Sequence, residues 1–208
     1  MYDQNTTLKD FLNAAAARQP TPGGGSVTAL VGALAASMGE MVVNYSVGKK
    51  GLEAHQADLA AGLNELHRAR QLLLRLMVED QNAYEALTAA KKLPEASPQR
   101  QSELAAALLA AIGTPQAIGA AAVAILTLCD RLVDKVNPHL LSDLAVCADL
   151  AMATVRCAAY NVRVNLADVP GAKERQEYES ATAQTLRGAG MLIRRVSTRI
   201  WARHGEGG

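Results

Sequence analysis

The sequence predicts an all-α protein, a single-domain multihelical bundle, on three observations. Alanine and leucine dominate a chain in which aromatic residues make up only 3%, a composition that suits closely packed helices and lacks the β-branched and aromatic residues that build sheets. Apolar residues recur at steps of three and four through long segments. All the prolines except Pro115 fall in the gaps between those segments, where a residue without an N–H does least harm. At 208 residues, with no Pro/Gly/Ser-rich linker, the chain reads as one domain, 1–208, with a sizeable core.

A first helix is expected from about Leu8 to Arg18, with Leu8, Phe11, Leu12 and Ala15 on one stripe and Thr6 or Thr7 as cap. It ends at Gln19-Pro20. The segment PTPGGGS that follows cannot be regular structure, because its prolines remove donors and its glycines free the backbone. Ser26 is expected to cap the second helix, which runs to about Val47. That helix is apolar nearly all round and therefore central, with Gly32, Ala35, Ala36 and Gly39 admitting neighbours closely. Val27 to Met38 is uncharged, but Glu40, Asn44 and the many small residues fit a buried helix better than a membrane span.

The third helix should cover about Leu52 to Lys91. Its stripe can be followed through Leu59, Leu63, Leu66, Arg70, Leu73, Met77, Asp80, Tyr84 and Leu87. Ser97-Pro98 starts a fourth helix in which Gly113-Thr114-Pro115 predicts a kink or break. Asn137-Pro138 opens a fifth, to about Leu166, and Asp168-Val169-Pro170 opens a last one reaching about Arg203.

The charges nearly cancel, with 21 Lys+Arg against 20 Asp+Glu, so no overall field steers the chain to nucleic acid or to an acidic membrane. A small ligand or a protein partner is expected instead. Three cysteines, Cys129, Cys147 and Cys157, have no CxxC spacing and sit among apolar residues, which argues against a disulfide framework and for a reducing cytoplasm. The N-terminus lacks the charged-then-apolar order of a secretory signal, and export is not expected. His55, His67, His139 and His204 form no ligand spacing, and no metal site is expected.

Chemistry gathers at a few positions. Gly23, Gly24 and Gly25 stand directly before a helix start, where backbone N–H groups meet the positive end of the helix dipole. Such a loop can hold an anion or a planar polar ligand, or serve simply as a tight turn. Asp80 is a carboxylate on a Leu/Met stripe, and such a group must be paired, hydrogen-bonded or functional. If the second and third helices are antiparallel about Lys49, Ser26 lies opposite the low seventies and Asp80 stands about two turns beyond it, beneath the Gly loop. Asn161 and Asn165 share one helix face with Asp143, yet Asp143 lies about 27 Å from Asn161 along the axis. Asn44, Lys49 and Lys50 likewise lie at the far end of the second helix from the Gly loop. These groups need an elongated ligand, two sites, or a site shared between subunits; an interhelical hydrogen-bond network for the asparagines and a helix C-terminus for the lysines are the structural alternatives.

Five segments, PTPGGGSVTALVGALAASM, the VGKK at Val47 to Lys50, the EDxxAY pattern at Glu79 to Tyr84, NPHLLSDLAV from Asn137 and NVRVNL from Asn161, together resemble the formiminotransferase-cyclodeaminase C-terminal domain family. That family includes stand-alone methenyltetrahydrofolate cyclohydrolases, and the resemblance runs in order from about Leu8 to Leu166. It implies an all-α bundle, a homodimer, a tetrahydrofolate derivative as substrate, and no metal or permanently bound cofactor. It also implies a catalytic aspartate at Asp80. The expected activity is hydrolysis of 5,10-methenyltetrahydrofolate, with formiminotetrahydrofolate cyclodeaminase as the alternative and a non-catalytic helical scaffold as a third reading. The absence of a formiminotransferase part from these residues inclines the choice to hydrolysis. In this reading Gly23, Gly24, Gly25 and Ser26 position the pterin or the water. Tyr84, Asp143, Asn161, Asn165 and Asn44 bind substrate, and Lys49 meets its glutamate tail.

Overall fold

In a computed structural model, which describes residues 1–205 with side chains through Arg203, six α-helices follow one another with short connections. Residues 206–208 and the His204 side chain lie outside the described residues. α1 spans Leu8–Ala16, α2 Gly24–Asn44, α3 Gln56–Lys92, α4 Arg100–Leu132, α5 Leu141–Asn165 and α6 Ala172–Gly205. No strand occurs among the described residues. α2, α3, α4 and α5 form a four-helix ring in which each packs on the next and α5 closes back on α2; α6 lies over α4 and α5. The core lies inside the ring, built from Leu59, Leu66, Leu73 and Met77 of α3, Ile118, Ile125 and Leu132 of α4, and Leu144, Ala151 and Val155 of α5.

Small residues on α2 set how closely the ring closes. A Cβ on Gly32 would stand 3.0 Å from Leu73 and 3.1 Å from Thr154, and one on Gly39 would stand 2.9 Å from Leu66 and 3.2 Å from the Cys147 thiol. The stripe of α3 is buried at Leu59, Leu66, Leu73, Met77 and Leu87 and half-buried at Leu63, Arg70 and Asp80, while Tyr84 is exposed; Arg70 is satisfied by Glu40 of α2 at 2.6 Å. α2 and α4 are long and apolar enough to cross a membrane, and about half of each apolar window is buried inside the bundle.

Several boundaries differ from the expected ones. α1 stops at Ala16, with Thr7 as its cap accepting from the Asp10 N–H at 3.1 Å. α2 starts at Gly24, so Ser26 is inside the helix and Gly23 is the cap residue. α2 also ends at Asn44, and the chain from 45 to 55 is turn and one 3-10 turn, Glu53–His55, before α3. This loop shifts the register of the α2–α3 hairpin. Its centre lies near residue 53, with Ser26 beside Asp80, Gly32 beside Leu73 and Gly39 beside Leu66. A turn centred at Lys49 would have put Asp80 two turns from Ser26.

α4 is continuous through Gly113-Thr114-Pro115, where a kink or break was expected, so the chain does not break there. Pro115 has no N–H to offer the carbonyl four residues back, at Ala111. The Asn165 amide of α5 donates to that carbonyl at 2.8 Å instead. The orphaned acceptor is satisfied and the helix runs on.

Candidate functional site

The N-terminus of α2, the last third of α3, the Pro115 turn of α4 and the C-terminal turns of α5 enclose a cavity of about 280 Å³. Each contributor is there for a local reason. Pro20, Thr21 and Gly23 form an irregular segment, with a cis bond between Thr21 and Pro22, and Gly24 and Gly25 open α2, so that the backbone borders the cavity without side chains. Asp80, Ala83, Tyr84 and Leu87 repeat at helical spacing along one face of α3, while Asn161, Val164 and Asn165 do the same on α5.

Among the described lining residues Asp80 is the only acidic or basic one. The Ser26 hydroxyl, itself fully buried, donates to Asp80 Oδ2 at 2.9 Å. Burial pushes the Asp80 carboxyl above its ordinary value, and the hydrogen bonds from the Ser26 side chain and backbone pull the other way. Among the described residues the ion pairs do not include Asp80, so the buried-pair alternative loses its partner. Gly25 is where the backbone comes closest: a Cβ there would stand 1.9 Å from Asp80 Oδ1 and 2.4 Å from its Cγ. Only glycine leaves room for the carboxylate in this position.

The two asparagines divide between structure and site. Asn165 lines the cavity but spends its amide on the Ala111 carbonyl and on Asn161 O at 3.0 Å. Asn161 donates to Cys157 O at 3.0 Å and to Thr28 Oγ1 at 3.3 Å. Its own carbonyl oxygen faces the loop, 3.2 Å from where a Gly24 Cβ would be. Thr28 completes the link by donating to Gly24 O at 2.6 Å. Tyr84, 47% exposed, stands at the mouth.

The structure therefore brings together Gly23, Gly24, Gly25, Ser26, Asp80, Tyr84, Asn161 and Asn165. It does not bring Asn44, Lys49 or Asp143 to them within one chain. Asn44 ends α2, about 30 Å from Gly24 at 1.5 Å per residue. Lys49 lies in the turn beyond it, and Asp143 sits in the first turn of α5, the end away from Asn161. A rigid helix cannot fold its two ends onto one ligand, so these three contacts are corrected for a single copy.

Two contributors escaped the sequence reading. Gln81, beside Asp80, is fully buried, accepts from Tyr2 N at 2.8 Å, and donates to Tyr2 O at 2.7 Å and to Met77 O at 3.0 Å. It pins the N-terminal segment across α3 behind the carboxylate; its position one residue off the apolar stripe was the signal. Thr28 was hidden within an apolar run, although its place four residues after Gly24 is the spacing at which a helical hydroxyl reaches a carbonyl.

Known proteins carry this architecture. The model of the family described as formiminotransferase-cyclodeaminase matches residues 7–184. A methenyltetrahydrofolate cyclohydrolase of Methylorubrum extorquens is 34% identical over 200 residues, 92% of this chain and 94% of that protein. A formimidoyltransferase-cyclodeaminase of Mus musculus is 30% identical over 79% of this chain, and the match spans 31% of that longer protein. The crystal structure of a formiminotetrahydrofolate cyclodeaminase from Thermotoga maritima superposes with a TM-score of 0.88 at 28% identity, covering 95% of this chain and 97% of that one.

Proposed function

Starting from a chain that belongs to the formiminotransferase-cyclodeaminase family, we propose that it hydrolyses 5,10-methenyltetrahydrofolate to 10-formyltetrahydrofolate, with Asp80 as its catalytic residue. The observation that carries this reading is the lone carboxylate, held by Ser26, at the wall of an otherwise uncharged cavity. The methenyl bridge is a cationic amidinium, and an anion in a partly dry cavity stabilises it far better than water would. Identity of 34% to a cyclohydrolase over 94% of its length, against 28% to the cyclodeaminase of similar coverage, supports hydrolysis over ammonia loss.

The chemistry runs in two stages. As the oxygen of water bonds to the carbon between N5 and N10, Asp80 takes a proton from it. The tetrahedral adduct then collapses: its hydroxyl proton leaves to solvent, the C–N5 bond breaks, and Asp80 returns its proton to N5. The formyl group stays on N10 and one proton is released overall. An elevated carboxyl suits both roles, since it accepts and returns a proton more evenly than an ordinary aspartate. The Gly24 and Gly25 backbone and the Asn161 carbonyl oxygen supply polar edges for the pterin. No bound metal or permanent cofactor enters the scheme.

Two copies complete the proposed enzyme. On α2, Val27, Val31, Leu34, Met38, Met41 and Tyr45 repeat at steps of four and three on the outward face; Val27, Leu34 and Tyr45 are exposed. On α5 Val146, Leu150, Ala153, Cys157, Tyr160 and Val164 do the same. Two neighbouring apolar seams of this kind suit a two-fold pairing. An antiparallel pairing sets the Asn44, Lys49 and Asp143 end of one copy near the Gly-loop end of the other.

The test is turnover of purified protein on 5,10-methenyltetrahydrofolate and, separately, on 5-formiminotetrahydrofolate with ammonia measured. Hydrolysis of the first is expected. Ammonia release from the second with no hydrolysis of the first would transfer the assignment to cyclodeaminase, and turnover of neither would favour the scaffold.

A further inference from the structure

A second cavity, of about 470 Å³, lies beside the first and shares Leu87 with it. The two are consecutive lengths of one groove, because the lining advances in the same direction on three separate elements. On α3 it moves from Asp80, Tyr84 and Leu87 to Leu87 and Lys91; on α4 from Pro115 and Ala111 to Leu108, Leu104 and Arg100; and beyond α5 from Asn165 to Asp168 and Pro170. Three independent stretches of chain would not step together if the cavities were unrelated.

Along this groove the chemistry changes. The inner cavity holds one anion, Asp80. The outer one holds two cations, Lys91 and Arg100, against one anion, Asp168, and between them leucines form an apolar wall. Lys91 is paired with Asp168 at 2.6 Å, with both side chains partly exposed, an arrangement that costs little to exchange for another carboxylate. Arg100 is the first residue of α4, so the positive end of that helix dipole faces the same space.

We infer that this outer cavity is the binding site for the p-aminobenzoyl-glutamate part of the substrate, with the ring on Leu87, Leu104 and Leu108 and the glutamyl carboxylates on Lys91 and Arg100. The inference rests on the folate reading above and assigns its tail to Lys91 and Arg100 rather than to Lys49. Length agrees with it. Asp80 and Lys91 are separated by eleven residues of continuous helix, about 16 Å, which a p-aminobenzoyl group with one glutamyl residue spans once the lysine stem is added. Charge agrees as well, since the anionic tail is drawn away from Asp80 and the cationic bridge is left beside it. Asp168 competes with the tail for Lys91.

Steady-state kinetics on the 5,10-methenyl derivatives of tetrahydrofolate and of tetrahydropteroate, which lacks the glutamyl residue, test this. Lys91→Gln/Arg100→Gln should raise KM for the folate about tenfold, as loss of charge-assisted contacts to one tail does, while the pteroate compound, whose ring still lies on the leucines but whose benzoate carboxylate stops short of the glutamyl position, responds much less. Asp168→Asn should lower the folate KM, a change of opposite sign that simple damage to the Lys91–Asp168 pair would not produce. Lys91→Gln alone, at a half-exposed side chain, keeps the test open if the double variant folds poorly. An equal response of folate and pteroate, or an effect of Lys49→Gln that the Lys91 and Arg100 variants lack, would overturn the assignment. Should the wild-type protein turn over neither compound, the catalytic reading fails separately. Calorimetry with p-aminobenzoylglutamate against p-aminobenzamide then decides the tail site by itself, with binding of the first that Lys91→Gln weakens supporting it and equal binding of both overturning it.

Discussion

Gly25→Ala tests the placement of the Asp80 carboxylate without changing the carboxylate itself. The new Cβ would stand 1.9 Å from Asp80 Oδ1, 2.4 Å from Cγ and 2.8 Å from Oδ2, whereas side-chain carbons do not come within 3.0 Å of other heavy atoms. The carboxylate has to retreat by at least about 1 Å, and because Cγ is itself too close, the retreat means another rotamer rather than a small tilt. The 2.9 Å bond from Ser26 is then lost. For the fold the consequences offset only in part, leaving a net loss of roughly 0.5–2 kcal/mol. Alanine in the first turn of α2 regains up to about 1 kcal/mol of helix propensity over glycine, against the roughly 1.5–3 kcal/mol of a hydrogen bond to a charged group. For catalysis they do not offset, since a 1 Å misplacement of a reacting group can cost about 10²-fold. The expected result is a kcat lower by about two orders of magnitude, with the thermal midpoint by circular dichroism lowered by a few degrees in a protein that still folds. A folded Gly25→Ala protein with wild-type kcat would refute the reasoning, because it would show that turnover does not depend on where the Asp80 carboxylate stands.

Asp80→Asn should fold normally and lose about 10²–10⁴-fold in kcat, the usual contribution of a general acid–base group. In the wild type the acid limb of kcat/KM should lie above the ordinary carboxylate range, because burial raises Asp80. Ser26→Ala should move that limb further up, since one of the bonds that lowers the pKa is gone. The folded state holds the Asp80 proton more tightly than the unfolded state, so this group's contribution to stability falls as pH rises from the unfolded value of 3.8 through the elevated folded one; denaturant titrations should find that slope absent in Asp80→Asn. Asn165→Ala leaves the Ala111 carbonyl without its donor at Pro115 and should cost about 1–3 kcal/mol, read as a lower denaturation midpoint; an unchanged midpoint would mean that the helix does not need the bond. Leu34→Glu, placed in the exposed seam of α2, should give a monomer mass by light scattering where the wild type gives a dimer, and a wild-type monomer would dismiss the two-copy arrangement.

The sequence by itself determined what depends on local periodicity and residue chemistry. Helix existence follows from the spacing of apolar side chains, the stripe of α3 from Leu59 to Leu87 could be followed residue by residue, and a carboxylate on that stripe singled out Asp80 as a group in need of a partner or a function. The start of α2 was legible to within a turn because glycines after two prolines mark where a helix can begin. Tertiary structure alone decided how those parts meet. The register of α2 against α3 depends on the eleven residues from 45 to 55, which have no period to count along, so Ser26 was misplaced by two turns and read as a cap. The passage of α4 through Pro115 depends on Asn165, fifty positions later in the chain, and no rule about proline could have included that donor. The distance of Asn44, Lys49 and Asp143 from the Gly loop could be counted along their helices, whereas the meeting of Lys91, Arg100 and Asp168 around one groove could not, because they come from three separate stretches of chain. Patterns along a helix reflect which face is buried and are written locally. Which residues share a cavity is settled by loop lengths and by partners distant in sequence, and those act only once the chain has folded.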